Sequence, residues 1–548
     1  MEHLAVADGA AADVTEASAV RALRDALDAA VLPLDLPGSR EVREQRELVL
    51  DQIGDYLLPR LRHPERPLLV VVGGPTGVGK STLVNALVGE RVTRSGLIRP
   101  TTRSPVLVHH PEDARWFAAA RDGVLPTFER VATPTDDPGK VELAATTAVP
   151  RGVALLDAPD FDSIDETNRL LATRLLAAAD MWLFVTSANR YADEVPWGQL
   201  EVARRRSTPL LVVLNRIRRD DLELVSTDLV RQLRGRGIAR GKVVVVEHGE
   251  VVDGLLRSDQ VDGIRSALRE LSEDPVLRRD VAADCATGAL RAAVRVATEV
   301  ADAAALQVGA IGQLLEVVDR EYDAASASLA AALSGGALVR GDLAQRWSDL
   351  VGTHVTMPAP AALQRMREHV LAQPDGAGER ALGGFEVALD LALEALVVDR
   401  AEQAATSASR ALRATVHGEA LLAWSEEDLS RPGRRVASQV RRAIARWRAG
   451  LDVTDGASDV GSRLLAVALA VGALMTPSDH DAARNLQGPV AAARTSLGAA
   501  MTALLAAERD RYLGPVARWN LAPDAPARLR AAVRAVEDRP HRSGGRRP

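Results

Sequence analysis

Gly74-Pro75-Thr76-Gly77-Val78-Gly79-Lys80-Ser81 is the stretch on which the reading of this 548-residue chain turns. It fits G-x-x-x-x-G-K-[ST] at every fixed position, follows the apolar run Leu68–Val72 and precedes the helical pattern that opens at Thr82. Strand, glycine loop and helix thus occur in the order a phosphate-cradling loop requires. The glycines let successive backbone N–H groups turn toward phosphate oxygens, the helix amino terminus adds positive potential, and Lys80 supplies a compact charge. Ser81 would place its hydroxyl on Mg²⁺. The chain has only three lysines, Lys80, Lys140 and Lys242, among 68 basic residues. One of the three therefore stands where a point-charge phosphate ligand is needed and where arginine would not serve equally. The nucleotide-binding set expected here is Gly74, Pro75, Thr76, Gly77, Val78, Gly79, Lys80, Ser81 and Thr82, and its ligand is a purine nucleoside triphosphate.

Outward from this loop, short β-rich runs alternate with helical stretches between Pro67 and about Glu250: Leu68–Val72, Val106–His109, Val153–Leu156, Trp182–Val185, Leu210–Leu214 and Val243–Val246. That alternation predicts an α/β P-loop NTPase domain, a mostly parallel sheet with helices on both faces, over residues 64–275. From Val14 to Arg62 the pattern is helical, broken at Pro33, Pro37 and Gly38, which predicts two amino-terminal helices within residues 1–63 that pack with the carboxyl-terminal bundle. After Asp262 the β signal ends. Residues 276–539 are rich in Ala, Leu and Arg with helical periodicity and read as a large all-α bundle or stalk, ahead of a disordered tail at 540–548.

Composition bounds the function. With 68 basic and 74 acidic residues the formal net charge is −6, so no general pull toward nucleic acid exists and none is expected as a partner. The one cysteine, Cys285, excludes a disulfide framework and a multi-cysteine metal site. Residues 1–20 carry Glu2, Asp8 and Asp13 and lack the basic start and apolar run of a signal peptide, which points to the cytoplasm. The apolar run Leu464–Met475 falls short of the roughly 20 residues a spanning helix needs, so it reads as a core helix. The pair His109-His110 ends a strand, where side chains alternate faces, and receives no metal role.

With the loop in place, the chain resembles GTPases of the dynamin-like superfamily, and more closely bacterial dynamin-type proteins with long helical carboxyl-terminal regions. The resemblance implies further roles. Arg99-Pro100-Thr101-Thr102-Arg103 is similar to a switch-one segment, in which Thr102, with Thr101 as second candidate, closes over Mg²⁺ and the γ-phosphate. Asp157-Ala158-Pro159-Asp160 stands where the family carries D-x-x-G. Asp157 would then join Ser81 and Thr102 at the metal and Lys80 and Thr102 in catalysis, while Asp160 replaces the glycine whose N–H meets the γ-phosphate. Phe161 occupies the place of a water-orienting glutamine and cannot act as one. Dimerisation, rather than a monovalent cation, is then the expected help, because Gly77 stands where the cation route uses asparagine. Slow basal turnover follows. Of the guanine motif N-K-x-D only Asn215 survives in Asn215-Arg216-Ile217-Arg218; the resemblance makes it a nucleotide-binding residue, with a strand-end cap as the other reading, and a donor-only arginine at 218 cannot replace the aspartate. Asp220, Asp221 and Glu247 are the substitute acceptors to examine.

The function expected from these readings is a dynamin-like GTPase that hydrolyses GTP to GDP and phosphate with Mg²⁺. It would be coupled to a homodimer or paralogous heterodimer formed through the G domain, with peripheral membrane contact through a stretch such as Leu464–Met475. A nucleotide switch acting on a protein or ribosomal partner, an ATP-binding protein or ATPase, and a domain that binds nucleotide without hydrolysing it stay open as alternatives. Arg190-Tyr191-Ala192-Asp193 and Arg204-Arg205-Arg206 are read as solvated charge in preference to arginine fingers.

Overall fold

The computed structural model describes residues 2–94, 104–118, 123–163, 165–206, 208–238, 242–249, 251–252, 255–336, 338–339, 341–351, 367–451, 460–474 and 487–539. Eight strands form one sheet: β1 Leu68–Gly73, β2 Val106–His109, β3 Glu129–Val131, β4 Lys140–Ala145, β5 Val153–Asp157, β6 Met181–Ser187, β7 Leu210–Ile217 and β8 Lys242–Glu247. Their order is β3-β4-β2-β5-β1-β6-β7-β8. Every pairing is parallel except β2 with β5, where Leu107 faces Leu156. All six apolar runs read as strands are strands. β3 and β4 were not legible, because β3 has three residues and both are half-exposed with charged residues interspersed, and so lack the continuous apolar signature of a strand covered on both faces.

Period-two alternation divides the sheet's side chains between two cores. Leu68, Val70 and Val72 of β1 face one side with Leu83, Val84 and Leu87 of helix α4 (Lys80–Val88) and Ile264 and Leu268 of Asp262–Glu273. Leu69 and Val71 face the other with Leu156, Trp182, Phe184 and Leu175. The amino-terminal segment forms helices Glu2–Ala29, Ser39–Gln52 and Leu58–Arg62, the last two joined through a single π turn at Ile53–Leu57. It covers this second face: Leu23, Leu27, Ile53 and Leu57 are fully buried in the same cluster.

Below the strands lies a buried polar knot. Fully buried Asp180 accepts from Leu69 N (2.8 Å) and the Tyr56 hydroxyl (3.0 Å), pairs with Arg60, and offers its backbone oxygen to Cys285 Sγ (3.0 Å). Burial pushes the Cys285 thiol up to about 12, so the lone cysteine is an inert buried side chain.

The chain divides into two compact units, at boundaries other than those drawn on composition. The first comprises residues 1–32, 36–305 and 522–548, the second residues 33–35 and 306–521. The amino-terminal helix does meet the carboxyl-terminal helix Ala525–Glu537, but both belong to the sheet's unit. Composition could not show this, since the 60-residue helix Pro275–Ser334 carries one texture throughout while residues 275–305 belong to the first unit and 306–334 to the second. The second unit is all helix, chiefly Ala377–Arg413, Val436–Ala449, Val460–Leu474 and Gln487–Asp510. Gln307 fixes residue 34 there by two buried hydrogen bonds, from Leu34 N (2.7 Å) and to Leu34 O (2.8 Å). The apolar run beginning at Leu464 is buried inside this unit, as a core helix should be. Pro275–Ser334 and Gly488–Arg518 are long and apolar enough to cross a membrane by length and composition.

Candidate functional site

The loop between β1 and α4 turns at the carboxyl edge of the parallel strands, where α/β sheets place their ligands. Gly77 and Gly79 adopt left-handed backbones, φ 82° and 92°, which a side chain would strain. Two glycines are also required by space. A Cβ at Gly74 would stand 2.2 Å from the Val185 carbonyl oxygen of β6, and one at Gly79 would stand 2.8 Å from Asn215 Nδ2. The expected loop conformation is present, and Lys80 is the first residue of α4.

Lys80 is buried, 6% exposed, and its ammonium donates to Gly74 O (3.0 Å), Pro75 O (3.3 Å) and an Asp160 carboxylate oxygen. Asp157 lies one strand away at the end of β5, paired in register with Val72. It is fully buried, and neither of its carboxylate oxygens has a hydrogen-bond partner among the described residues. Burial pushes its carboxyl up to about 6. The nearby Ser81 hydroxyl, Lys80 ammonium and Thr93 hydroxyl pull the other way, although neither hydroxyl closes a hydrogen bond of ordinary geometry with it. A buried anionic oxygen pair beside a serine hydroxyl and lacking protein donors has the chemistry of a hard-cation site.

The segment after β5 contributes more than the D-x-x-G comparison suggested. Asp162 accepts from Thr76 N (2.6 Å) and Thr76 Oγ1 (2.7 Å) and pairs with Arg190 (2.8 Å). Arg190 also pairs with Asp193 (2.9 Å). Arg190, read as solvated charge, keeps 39% of its side chain exposed, and the turn after Ser187 sets it beside the loop, a tertiary placement that sequence spacing does not encode. Exposed Arg204 pairs with half-exposed Glu201, whereas Arg206 is buried on the carbonyls of Leu176 and Ala177, which corrects its reading as solvated charge; neither faces the loop residues. Phe161 is buried and stacked on Phe184 at 5.9 Å.

At the end of β7, Asn215 is buried and donates to Val78 O (2.8 Å). Arg216, at φ 58°, donates to Gly77 O (3.0 Å). Asn215 and Arg216 thus brace the loop, and Arg216 is a residue that the motif comparison passed over. Arg218 turns away to Asp221 at 2.9 Å, so one substitute base acceptor is already engaged. Glu247, half-exposed, ends the neighbouring strand opposite Ile217. Thr101 and Thr102 lie outside the described residues. His109 is buried and stacked on Phe117 at 4.8 Å, and His110 caps the next turn.

Comparison with known proteins gives one family. Residues 69–216 match the model described as 50S ribosome-binding GTPase. Over 170 residues the chain is 25% identical to the probable chloroplastic transmembrane GTPase of FZO-like type from Arabidopsis thaliana, covering 31% of this chain and 17% of that protein's length. Among solved structures, a chain of an oligomerised bacterial dynamin pair described as sensing and tethering membranes aligns at 10% identity and TM-score 0.35, covering 91% of this chain and 95% of its own. LeoA, a bacterial dynamin GTPase from ETEC, aligns at 12% identity and TM-score 0.23, covering 96% and 97%. Aquifex aeolicus Era bound to GDP and AlF4⁻ aligns at 18% identity and TM-score 0.24, covering 37% of this chain and 56% of its own. The family match lies on the sheet-bearing segment, so residues 69–216 are similar to a GTPase domain, while the chain spans under a fifth of the length of the curated relative it matches.

Proposed function

We propose that this chain is a Mg²⁺-dependent, dynamin-like GTPase that hydrolyses GTP to GDP and phosphate. The observation that carries the proposal is the loop at the carboxyl edge of β1, with left-handed Gly77 and Gly79, buried Lys80 and, beside them, the carboxylate of Asp157, without a hydrogen-bond partner among the described residues. In this reading the amides of the loop and the Lys80 ammonium bind the phosphates. Gly74 and Gly79 are glycines because β6 and Asn215 approach so closely, and Asn215 and Arg216 hold the loop in shape.

The donor set fits Mg²⁺. Ser81 and Asp157 would hold it, with Thr102 as the closing ligand. When bound, the ion neutralises charge on the phosphate oxygens. Asp157 in this role remains ionised because the cation replaces the hydration that burial removed. Phe161, anchored in the core against Phe184, cannot orient water, so turnover of a lone copy is slow. Dimerisation of G domains, between two copies or with a paralogue, supplies the missing group. Peripheral membrane contact through the run at Leu464 would require that buried helix to come out of its unit.

Calorimetry with GTP and with ATP, with and without Mg²⁺, on wild type and Lys80→Ala tests the proposal. GTP is expected to bind wild type with Mg²⁺ dependence and to lose measurable affinity in the variant. Equal GTP affinity in both proteins would refute the loop assignment, and preference for ATP would refute the base. A second reading, a switch acting on a ribosomal partner, is favoured by the description of the matched family. Nucleotide-dependent co-sedimentation with ribosomal subunits would select it.

A further inference from the structure

We infer that Asp160 is an internal competitor for the γ-phosphate, a residue that sets this site's preference toward nucleoside diphosphates over triphosphates. The inference rests on the phosphate-site reading above. An ammonium has three N–H donors. Those of Lys80 are all engaged: two on the loop carbonyls of Gly74 and Pro75, the third on the carboxylate of Asp160. The lysine of such a loop serves the β- and γ-phosphates. A β-phosphate can take the weakest of these contacts, the 3.3 Å bond to Pro75 O, and leave the Asp160 pair in place. A γ-phosphate also needs the donor that Asp160 holds, and it meets a like charge there.

Asp160 is not a stray surface side chain. Its side chain is 21% exposed, and two residues later Asp162 is fastened to Thr76 of the same loop, 14% exposed and paired with Arg190. Two acidic residues from one turn therefore grip the two ends of the loop, Thr76 and Lys80. Asp157 behind them adds a third carboxylate, while of the cations at the loop Lys80 and Arg190 are already paired with Asp160 and Asp162 and Arg216 donates to Gly77 O. The alternative occupant of Lys80's third donor, a ligand phosphate, would have to displace Asp160 against the lost ion pair and the repulsion of its like charge.

The test titrates full-length wild type, Asp160→Asn, Asp160→Gly and Lys80→Ala with GDP, GTPγS, ADP and ATPγS in Mg²⁺. Asparagine keeps the shape of the side chain and removes its charge, so a folding defect is not introduced. Triphosphate affinity is expected to rise roughly ten- to hundredfold in Asp160→Asn, the scale of one partly buried charge pair. Diphosphate affinity should change less than about threefold, so the ratio of the two constants moves. A residue serving only to hold the loop would shift both ligands together. Equal changes for diphosphate and triphosphate, or none, overturn the inference while leaving the phosphate site intact. If neither wild type nor Asp160→Asn binds any nucleotide more tightly than Lys80→Ala, the phosphate-site reading fails and takes the inference with it.

Discussion

Replacing Asp157 by asparagine should make the metal-free protein more stable while destroying its response to Mg²⁺-nucleotide. The carboxyl is fully buried, its oxygens have no hydrogen-bond partner among the described residues, and burial raises it from an ordinary 3.8 to about 6. Each pKa unit corresponds to about 1.4 kcal/mol, so the ionised side chain costs the fold roughly 3 kcal/mol at neutral pH. The folded chain binds a proton between pH 3.8 and about 6 where the unfolded chain does not. Stability must therefore rise as pH falls through that window, and the cost is complete only above it. Asparagine is neutral throughout. Its buried amide takes back about 1–2 kcal/mol where it finds no partner, leaving a net gain of roughly 1–2 kcal/mol at pH 7.5. Between pH 7.5 and 5 wild type should recover roughly 1 kcal/mol of the difference, by about one unit of linkage below the folded pKa. Urea unfolding of both proteins in EDTA, at the two pH values and followed on the sheet-bearing unit, measures this directly. An Asp157→Asn protein less stable than wild type at pH 7.5, or a difference independent of pH, would refute the reasoning. Adding Mg²⁺ and GTP should reverse the order, since only wild type gains binding energy.

Gly74→Ala should destabilise the sheet-bearing unit by about 1–3 kcal/mol, because its new Cβ meets backbone at 2.2 Å and the loop must shift. It should also weaken nucleotide binding at least about tenfold, since phosphate ligands tolerate little displacement. Gly89→Ala is the control: at φ 80° with nothing within 4 Å it should cost only about 1–2 kcal/mol and leave binding alone, as paired unfolding and calorimetry would show. Asp180→Ala should cost about 3–5 kcal/mol in chemical unfolding, because it strands the buried Arg60 guanidinium and the Leu69 amide; a cost under about 1 kcal/mol would mean the knot carries no charge.

The sequence by itself determined the domain type and the phosphate loop. An apolar run, two glycines at fixed spacing and a lysine in a lysine-poor chain are local signals, because strand, turn and helix N-terminus are adjacent in the chain and their chemistry is set by backbone conformation and one charge. Asp157 came from the resemblance, and the fold sets it fully buried at the end of β5, the strand beside β1. Tertiary structure alone decided what surrounds the loop. The resemblance had set Asp160 near the γ-phosphate, but its pairing with Lys80, and the reach of Asp162, Arg190 and Arg216 to the loop from 86 to 139 residues away, are recorded by no periodicity. The unit boundaries were equally hidden, because the helix Pro275–Ser334 passes from one core to the next without a change in composition and burial depends on which neighbours meet it. Local chemistry writes the ligand into the sequence, whereas the competition for that ligand's place on Lys80 exists only once the chain has folded.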